Sequence, residues 1–500
     1  MIRSGITSLL LLFSLLSFAQ EHILELDINI ANKNEFLHER SFIDPVLNGQ
    51  QFFLSLPCKN KLGLYLLDNN GKIISSFNKN RESTADSSGS ATDEDSSPIQ
   101  KDIFFRKNFS PAGSISTGTN KILCAFTESD HAIYFNDIDF NARQLSAREE
   151  WDASKKERLL FCFSYANRFF WITVNKKSLT TLKLYRYDAY GKTDTMSVLL
   201  DTFFPTEMTP GTHYWSNETS LVHPERITTL LQSSLRGKFI LQDNKLYIVS
   251  DENTAFTDIS IVDLDTLSFQ QFDVDYPLLP GTITATGLIN HNSFIAGDLL
   301  LQSNIQNNIF SFSIGSLQDR AQKKMYHFSK SDEINLNNGP VMQYGTAMDP
   351  KEEKELTKTR QFIRKVNGKG LAILAGFHEN KLQAQIGSSE LVSGGGGGGM
   401  MYMGGSSFST PGGMVSMPGH WTSFGGGGYR STRTVFFFSV FDKTNFEHLT
   451  NSEPAADKIK KLDDLLDKNS RHLNDPVQAG NRIISGYLNT DSKKFILFHI

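Results

Sequence analysis

"FCFSYANRFFWITV", residues 161–174, is the stretch that decides the fold. Two runs of aromatic and β-branched residues meet at Asn167, and asparagine tolerates the positive φ that a tight hairpin turn needs. The same junction recurs in "FILQDNKLYIVS" (239–250) at Asn244 and in "AILAGFHENKLQAQI" (372–386) at Asn380. Each stretch therefore predicts two antiparallel strands joined by a tight turn.

A second kind of junction, in which an aspartate starts the turn, follows each of these hairpins. It is present in "LKLYRYDAYGKTDTM" (182–196), "ISIVDLDTLSFQQF" (259–272) and "FFFSVFDKTNFEHL" (436–449), and "LYLLDNNGKIISSF" (64–77) is a further copy. Two hairpins joined by a connector make a sheet of four antiparallel strands, and such a sheet cannot bury both of its faces alone. The copies must therefore stack on one another.

Stacked four-stranded sheets are the blades of a β-propeller. The pattern predicts an all-β chain with a single propeller over residues 20–500 and about seven blades, near 41–78, 111–147, 158–200, 236–274, 283–329, 369–449 and 478–500. The chain resembles the β-propeller superfamily in this pattern, a resemblance that implies the architecture and no particular reaction. The strand "HILELDINI" (22–30) is expected to complete the last blade and close the ring. Two unrelated β-sandwiches are the alternative interpretation.

The N-terminal residues indicate export. Residues 1–19 place Arg3 before a leucine-rich run that ends at Ala19, which is typical of a cleaved signal peptide, with an uncleaved N-terminal anchor as the alternative. The leader resembles those of exported Gram-negative proteins that carry uncharacterised propellers. We expect the protein in the periplasm, at the outer-membrane surface or outside the cell. The mature chain has no apolar run of the length that a transmembrane helix requires.

The charge and the cysteines exclude some classes of function. The formal net charge of -4 is spread along the chain without a basic stripe, which argues against nucleic acid as a partner. Cys58, Cys124 and Cys162 have apolar neighbours and read as buried thiols, and one disulfide among them stays open as an alternative.

The long insertions are expected on one face of the ring. In a four-stranded antiparallel blade, the first and third turns emerge on one side, and the second turn and the blade connections emerge on the other. The side opposite the tight turns would then carry the serine-rich and acidic segment 79–100, predicted to be disordered, the glycine- and methionine-rich loop 387–432, and the amphipathic helix 454–473. Residues 146–158 and 348–366 also have helix-like spacing.

The loop at 391–431 has two interpretations. Its methionines and its histidine are soft-metal ligands of the kind that cuprous ion prefers, although their spacing follows no strict repeat. Methionine and aromatic side chains on a flexible backbone also suit an adaptable contact with a partner. The candidate metal ligands are Met400, Met401, Met403, Met414, Met417 and His420, and Trp421 joins His420 as a candidate ligand contact.

A second candidate ligand contact is the run His213, Tyr214 and Trp215, because exposed aromatic side chains can stack on sugars or peptides. An enzyme would take acids and histidines from the same region, with Asp201, Glu207, His223 and Glu225 as candidates beside His213. No metalloprotease, nucleophile-elbow or phosphate-loop motif supports a catalytic set, and a polar surface loop is the preferred explanation of these residues.

The sequence therefore favours a non-catalytic propeller that binds or scaffolds an envelope protein or glycan through its loop-bearing face. The alternative is a metal-assisted hydrolase that acts on a lactone, phosphoester or glycoside at the mouth of the central channel. No catalytic residue and no cofactor is predicted. Copper at the methionine-rich loop and calcium at the aspartate turns of Asp68 and Asp188 are the alternatives.

Overall fold

The structure, a computed structural model, describes 24 segments of the chain, and every structural statement below refers to them. They are residues 21–27, 36, 41–47, 49–59, 61–80, 109–128, 131–153, 156–176, 180–191, 193–200, 219–226, 228–277, 290–345, 352–367, 370–378, 380–394, 401–403, 406–410, 413–416, 420–422, 429–452, 477–479, 482–489 and 491–499. The predicted signal peptide, nearly all of the 79–100 segment and the predicted helix 454–473 lie outside the described residues.

The first half of the described chain forms antiparallel sheets of four strands in chain order. The N-terminal strand is β1 (Glu21–Asp27). Sheet one contains β2 (Phe42–Val46), β3 (Gln51–Pro57), β4 (Lys61–Asp68) and β5 (Ile73–Asn80). Sheet two contains β6 (Phe109–Gly118), β7 (Lys121–Glu128), β8 (Ala132–Asp139) and β9 (Gln144–Asp152). Sheet three contains β10 (Glu157–Tyr165), β11 (Arg168–Asn175), β12 (Thr181–Tyr187) and β13 (Thr193–Leu199).

The second half continues this order with two departures, since sheets four and six have five strands each. After sheet three come β14 (Thr219–Val222), β15 (Thr228–Thr229) and the helix α1 (Leu230–Ser233). Sheet four contains β14, β16 (Gly237–Gln242), β17 (Lys245–Ser250), β18 (Phe256–Asp263) and β19 (Phe269–Asp275). Sheet five contains β20 (Asn290–Ala296), β21 (Leu299–Gln306), β22 (Ile309–Ser316) and β23 (Gln322–Ser329).

The remaining elements begin with β24 (Met342–Tyr344), β25 (Glu353–Glu355), the helix α2 (Thr359–Val366), β26 (Leu371–His378) and β27 (Lys381–Gly394). Four short strands follow, β28 (Met401–Met403), β29 (Ser406–Thr410), β30 (Gly413–Ser416) and β31 (His420–Thr422), and then β32 (Tyr429–Asp442). The last strands are β33 (Val477–Ala479), β34 (Arg482–Asn489) and β35 (Lys494–His499). Sheet six has the order β25-β24-β32-β27-β26, and sheet seven has the order β1-β35-β34-β33.

The tight turns predicted from the sequence are confirmed. Asn167, Asn244 and Asn380 all have a positive φ, between 56° and 62°. The aspartate turns close on their own backbone, because the Asp263 Oδ1 accepts hydrogen bonds from the N–H groups of Asp265 (3.0 Å) and Thr266 (2.7 Å). Local side-chain acceptance of this kind is the chemistry of an Asx turn.

Hydrophobic clusters pack the sheets face to face in chain order. In β4, Leu62, Leu64 and Leu66 lie in a cluster shared with sheet two. The alternate residues Tyr65 and Leu67 lie in a cluster shared with sheet seven. Because side chains of a strand alternate between its two faces, β4 is apolar on both sides. Further clusters join sheet two to three, sheet three to four, and sheets four, five and six to one another.

Two expectations from the sequence are wrong. The described part of 146–158 is not helical, since β9 and the start of β10 occupy most of it. β9 is the outer strand of its sheet and is largely exposed, so its polar residues do not show the alternation of a half-buried strand. The turn at Asp442 does not lead into a fourth strand of sheet six. β24 already pairs with β32, and beyond the turn the described residues form only an isolated bridge between Phe441 and His448.

The two faces of the sheets differ. The first and third turns of each sheet define the turn face, and the second turns and sheet connections define the decorated face. On the decorated face, β27 and β32 pair from Lys381 with Asp442 up to Gly394 with Tyr429, whereas β26 pairs with β27 only as far as Ser388. Residues 389–394 and 429–434 therefore extend about 20 Å beyond the inner strand, at ~3.4 Å per residue. We call this pair the projecting ribbon, and the connection beyond it spans residues 395–428, inside the range predicted as a loop.

Candidate functional site

The central segment, residues 219–226 and 228–235, contacts five of the seven sheets. β14 pairs in parallel with β16 of sheet four. His223 bonds to sheet three, and Arg226 contacts Asp44 of sheet one and forms a bridge with Val477 of sheet seven. The Ser233 hydroxyl donates to a backbone carbonyl of sheet six. One short segment can touch so many sheets only if their first strands surround a common centre.

Asp44 is the acceptor around which this centre is organised. It lies on β2 and is 1% exposed. Its Oδ2 accepts hydrogen bonds from the Ser114 N–H (2.6 Å), the Ser114 hydroxyl (2.8 Å) and the Ser164 hydroxyl (2.9 Å). Ser114 lies on β6 and Ser164 on β10, so one carboxylate joins the first strands of sheets one, two and three. A buried carboxylate needs such donors because its desolvation is costly.

Arg226 balances the charge of Asp44. Its Nη2 donates to the Asp44 Oδ1, and its Nη1 donates to the Ile43 carbonyl at 3.1 Å. The Asp44 side chain is 2% exposed and the Arg226 side chain is 27% exposed, so the ion pair is largely removed from water. The planar guanidinium suits this double contact, because its N–H groups are held in a fixed fork.

His223 and Glu225 stand beside the pair. The His223 Nε2 lies 2.9 Å from the Ser164 carbonyl, which can only accept, and the Nδ1 accepts from the Glu225 N–H at 3.1 Å. Both ring nitrogens are therefore used, in the neutral tautomer that donates from Nε2. Burial, followed by the positive charge of Arg226, lowers the pKa of His223 to about 4, so the ring is neutral at pH 7.

The pKa of Glu225 shifts in the opposite direction to that of His223. Burial, followed by the negative charge of Asp44, raises the pKa of Glu225 to about 7, although Arg226 opposes the shift. Its carboxyl group forms no hydrogen bond with a described residue, so it is the one member of the group whose side chain is free to exchange a proton near neutral pH. The structure thus brings together two of the five residues that the sequence offered for an enzyme. Asp201, Glu207 and His213 lie outside the described residues.

A second buried ion pair joins sheets four and five. The Lys238 Nζ donates to the Asp251 Oδ2 at 2.8 Å, and both side chains are 0% exposed. Asp251 also accepts from Ser293 of sheet five, through its N–H (2.9 Å) and its hydroxyl (2.6 Å). Lys238 and the hydrogen bonds hold the pKa of Asp251 below its usual value despite complete burial. Each donor is satisfied within the protein, which indicates a structural role.

Sequence reasoning missed Asp44 and Asp251, the acceptors of the two buried ion pairs. Asp44 stands in "FIDPV", an apolar strand with a single acid, and that mismatch is the signal that could have found it. Asp251 follows "KLYIVS" directly at the end of β17, just outside the stretch that predicted the hairpin. Their partners lie far away in sequence, 182 residues in the case of Asp44 and Arg226.

The methionine-rich loop is described only in part. β28 pairs with β31, which sets Met403 opposite His420 and Tyr402 opposite Trp421 in the backbone register. Met401 belongs to the same pair of strands, and Met414 lies on β30 opposite Ser409. Met400, Met417 and the candidates His213, Tyr214 and Trp215 lie outside the described residues.

Metal ligands can be examined in the part of the chain that the structure describes. There, no group of three or more His, Cys, Asp or Glu side chains could hold a metal ion. The aspartates considered for calcium act in turns, since the Asp68 Oδ1 accepts from the N–H groups of Asn70 (2.9 Å) and Lys72 (2.8 Å). Cys58, Cys124 and Cys162 are free thiols on three different sheets, and burial raises the pKa of Cys124 and Cys162.

A basic cleft on the decorated face is the second candidate site. It has a volume of about 540 Å³ and lies between α2, the turn after β21 and the residue that follows β23. The side chains that line it are Asn308, Lys330, Arg360, Gln361, Ile363, Arg364 and Asn367. The size is that of a small-molecule site. The chemistry is cationic and amide-rich, with one aliphatic side chain.

The comparisons with known proteins find similar solved structures and assign no function to this chain. No protein family model matches the chain, and no curated protein matches it. Among solved structures, it is similar to an oligogalacturonate lyase in complex with manganese (7% identity, 92% of this chain, 89% of that chain, TM-score 0.33). It is also similar to the WD40 domain of SCAP from fission yeast (8% identity, 96% of this chain, 98% of that chain, TM-score 0.32). A third similar structure is the β-propeller domain of the Trilobed protease from Pyrococcus furiosus (9% identity, 93% of this chain, 94% of that chain, TM-score 0.31).

These similarities carry no argument about a site in this chain. The chain itself is all-β with many four-stranded antiparallel sheets, which is consistent with a β-propeller. Within the described segments, no helix combines the length and the apolar character needed to cross a membrane.

Proposed function

We propose that the seven sheets form one closed propeller, and that it is an exported protein that binds or scaffolds an envelope protein or glycan through the decorated face. The projecting ribbon is the observation that carries this proposal. Paired backbone that extends about 20 Å past the inner strand has a cost in chain ordering, and that cost is recovered if the ribbon presents the 395–428 connection to a partner.

The ring itself is supported by packing and pairing. Successive sheets share hydrophobic clusters from sheet seven through sheet one to sheet six. The outer strand of sheet seven is β1, which pairs antiparallel with β35. A ring completed by the N-terminal strand would pair β35 on both sides and leave only the short outer edges of the sheets, which limits edge-to-edge aggregation. The export itself is inferred from the leader sequence.

The centre favours binding over catalysis at a channel mouth. The central segment occupies the place where the first strands meet, and the ring nitrogens of His223 and both oxygens of Asp44 are used in internal hydrogen bonds. A metal-assisted hydrolase would need open coordination positions there. The methionine-rich connection suits contact with a partner, and copper binding stays the alternative for it.

A matched pair of cross-linking variants tests the proposal. A photo-activatable residue replaces Ser331 on the decorated face or Gln318 on the turn face of the same sheet, and both positions are exposed. Each variant is irradiated in cells of the source organism, and adducts are identified by mass spectrometry. We expect a defined protein or glycan adduct from position 331 and none from position 318.

A loop replacement adds a second arm. An Asn-Gly turn can replace residues 395–428, because Gly394 and Tyr429 are already paired and a two-residue turn closes such a pair. We expect this variant to melt cooperatively and to lose the adduct. Adducts from both faces, or from position 318 alone, would contradict the proposal. Stoichiometric bound metal together with turnover of a lactone, phosphoester or glycoside would favour the hydrolase instead.

A further inference from the structure

The basic cleft contains three cations that form no ion pair with any described residue. Lys330, Arg360 and Arg364 are exposed, and none of them forms an ion pair or a hydrogen bond with a described residue. Arg360 and Arg364 are one helical turn apart on α2, so their side chains project along the same face of the helix. Unpaired cations that converge on a cavity attract an anionic group and hold it by charge-assisted hydrogen bonds.

The positive field extends behind the helix. Burial and then the nearby charges of Arg433, Arg364 and Lys354 lower the pKa of Lys365, although Glu352 opposes them. Arg433 is itself paired with Glu390 on the projecting ribbon, so its charge is balanced locally. The net positive charge is therefore concentrated on the cleft side of α2, where no carboxylate lines the wall.

Asn367 supplies an observation that is independent of charge. It ends α2 and lines the cleft, and its Oδ1 is buried without a hydrogen-bond partner. A buried amide oxygen without a partner costs roughly 1–3 kcal/mol. A carboxylate, sulfate or phosphate group cannot satisfy it, because these oxygens only accept. A hydroxyl group can do so once the Asn367 side chain turns toward the cleft, because its Oδ1 is closed to solvent as it stands. Since a hydroxyl both donates and accepts, it pairs with the amide whichever way the amide is turned.

The remaining side chains that line the cleft also favour a ligand with hydroxyl groups. Asn308 and Gln361 add two further amide side chains, whereas Ile363 is the single aliphatic residue and no aromatic ring lines the wall. An acidic peptide without hydroxyl side chains would offer these amides only its backbone and its carboxylate groups. Hydroxyl groups spaced around an anionic group match the amides.

We propose that the basic cleft binds an acidic saccharide, which is a sugar that carries a carboxylate or a sulfate group beside free hydroxyls. Arg360, Arg364 and Lys330 hold the anionic group, and the Asn367 amide selects the adjacent hydroxyl. This inference rests on the proposed binding role of the decorated face and names the chemistry of one ligand for it.

Calorimetric titration of the full-length protein tests the inference with four probes. The probes are an oligouronate, a sulfated oligosaccharide, the same oligouronate with its carboxyl groups reduced to alcohols, and a glutamate peptide of equal charge. We expect one or both acidic saccharides to bind, with affinity that falls as salt rises. The reduced saccharide and the peptide should bind at least tenfold more weakly.

Three variants separate the roles of the side chains. Arg360→Gln and Arg364→Gln keep the helix propensity, and each is expected to weaken the acidic saccharide about tenfold, as loss of a charge-assisted hydrogen bond implies. The matched control is Arg143→Gln, an exposed arginine in a turn of sheet two on the turn face, which should change nothing. Asn367→Ala should weaken the saccharide about fivefold while the weaker affinity for inorganic phosphate is unchanged.

The outcomes are distinct. Acidic saccharides that do not bind, that bind the arginine variants as tightly as the unchanged protein, or that bind no better than the glutamate peptide would overturn the inference. Should the cross-linked adduct at position 331 persist in the Arg360→Gln, Arg364→Gln double variant, the proposed function stands and only the cleft assignment fails. If position 331 gives no adduct in the otherwise unchanged protein while the acidic saccharide still binds, the proposed partner is overturned and the cleft remains a saccharide site.

Discussion

Replacing Asp44 with asparagine is expected to lower the free energy of unfolding by about 3–5 kcal/mol. Both carboxylate oxygens face only donors, which are two groups of Ser114, the Ser164 hydroxyl and the Arg226 guanidinium. Asparagine offers one oxygen and one NH₂ group. Whichever way its amide is turned, the NH₂ meets either the guanidinium or the backbone N–H of Ser114.

The magnitude follows from the groups left without a partner. One orphaned buried donor costs about 1–3 kcal/mol, and the largely buried guanidinium of Arg226 also loses its counter-ion. Denaturation in urea, followed by tryptophan fluorescence, measures the loss. With a slope of about 3 kcal/mol per molar urea, the midpoint should fall by roughly 1–1.7 M. Trp171, which is buried in sheet three, reports on the region.

Two further variants make the measurement decisive. Asp298→Asn changes an exposed aspartate in the first turn of sheet five, which forms no side-chain hydrogen bond with a described residue, and should leave the midpoint unchanged. Arg226→Met in combination with Asp44→Asn removes both charges, so the double variant should lose about 2 kcal/mol less than the sum of the single losses. A loss under ~1 kcal/mol for Asp44→Asn, or strict additivity, would refute the idea that this pair organises the centre.

Further predictions concern titration and packing. The raised pKa of Glu225, about 7 against an ordinary 4.5, means that stability falls as pH rises from about 4.5 to 7, by up to ~3 kcal/mol. The lowered pKa of His223, about 4 against 6.5, makes stability rise from about pH 4 to 6.5. Unfolding midpoints across pH should therefore gain a rising trend in Glu225→Gln and a falling one in His223→Gln, relative to the unchanged protein, and parallel curves would contradict both shifts. Lys238→Met strands the buried charge of Asp251 and should cost about 3–5 kcal/mol by urea denaturation, most of it recovered when Asp251→Asn is added; no recovery would argue against the ion pair. Gly387→Ala, whose Cβ would overlap a carbonyl oxygen of β32, should lower the melting temperature markedly, and a stable variant would show that β27 and β32 do not approach so closely.

The strand pairs were predictable because their signals are local. A turn such as that at Asn167 needs a residue that tolerates positive φ between two apolar runs, and both features lie within fourteen residues. The stacking of sheets followed from strands that are apolar on both faces, as in β4. The all-β class and its repeated four-stranded sheets could therefore be derived from the sequence alone.

The outer strands and the centre were not predictable in this way. β9 pairs along one edge only and is exposed, and β24 has only three residues, so neither strand shows the alternation that marks a strand in sequence. The central segment was read as a polar loop, because its hydrogen bonds to Asp44 and Ser164 span 182 and 59 residues. His223 and Glu225 were singled out for their chemistry, and only the fold shows that one is locked by hydrogen bonds while the other titrates.

The long connection of sheet six is tied to this centre. Thr228 and Thr229 lie two and three residues after Arg226. They pair with Ser407 and Ser406 of the connection. A partner that binds the connection only in this paired arrangement also stabilises the central segment, and linkage requires that a change which loosens the segment weakens that partner by the same free energy. Asp44→Asn should then reduce partner affinity at the connection although it lies on another sheet. Saccharide binding at α2 is not linked to the central segment, because none of the residues that line the basic cleft belongs to that segment. The two kinds of ligand on the decorated face are therefore separable by a substitution that touches neither site.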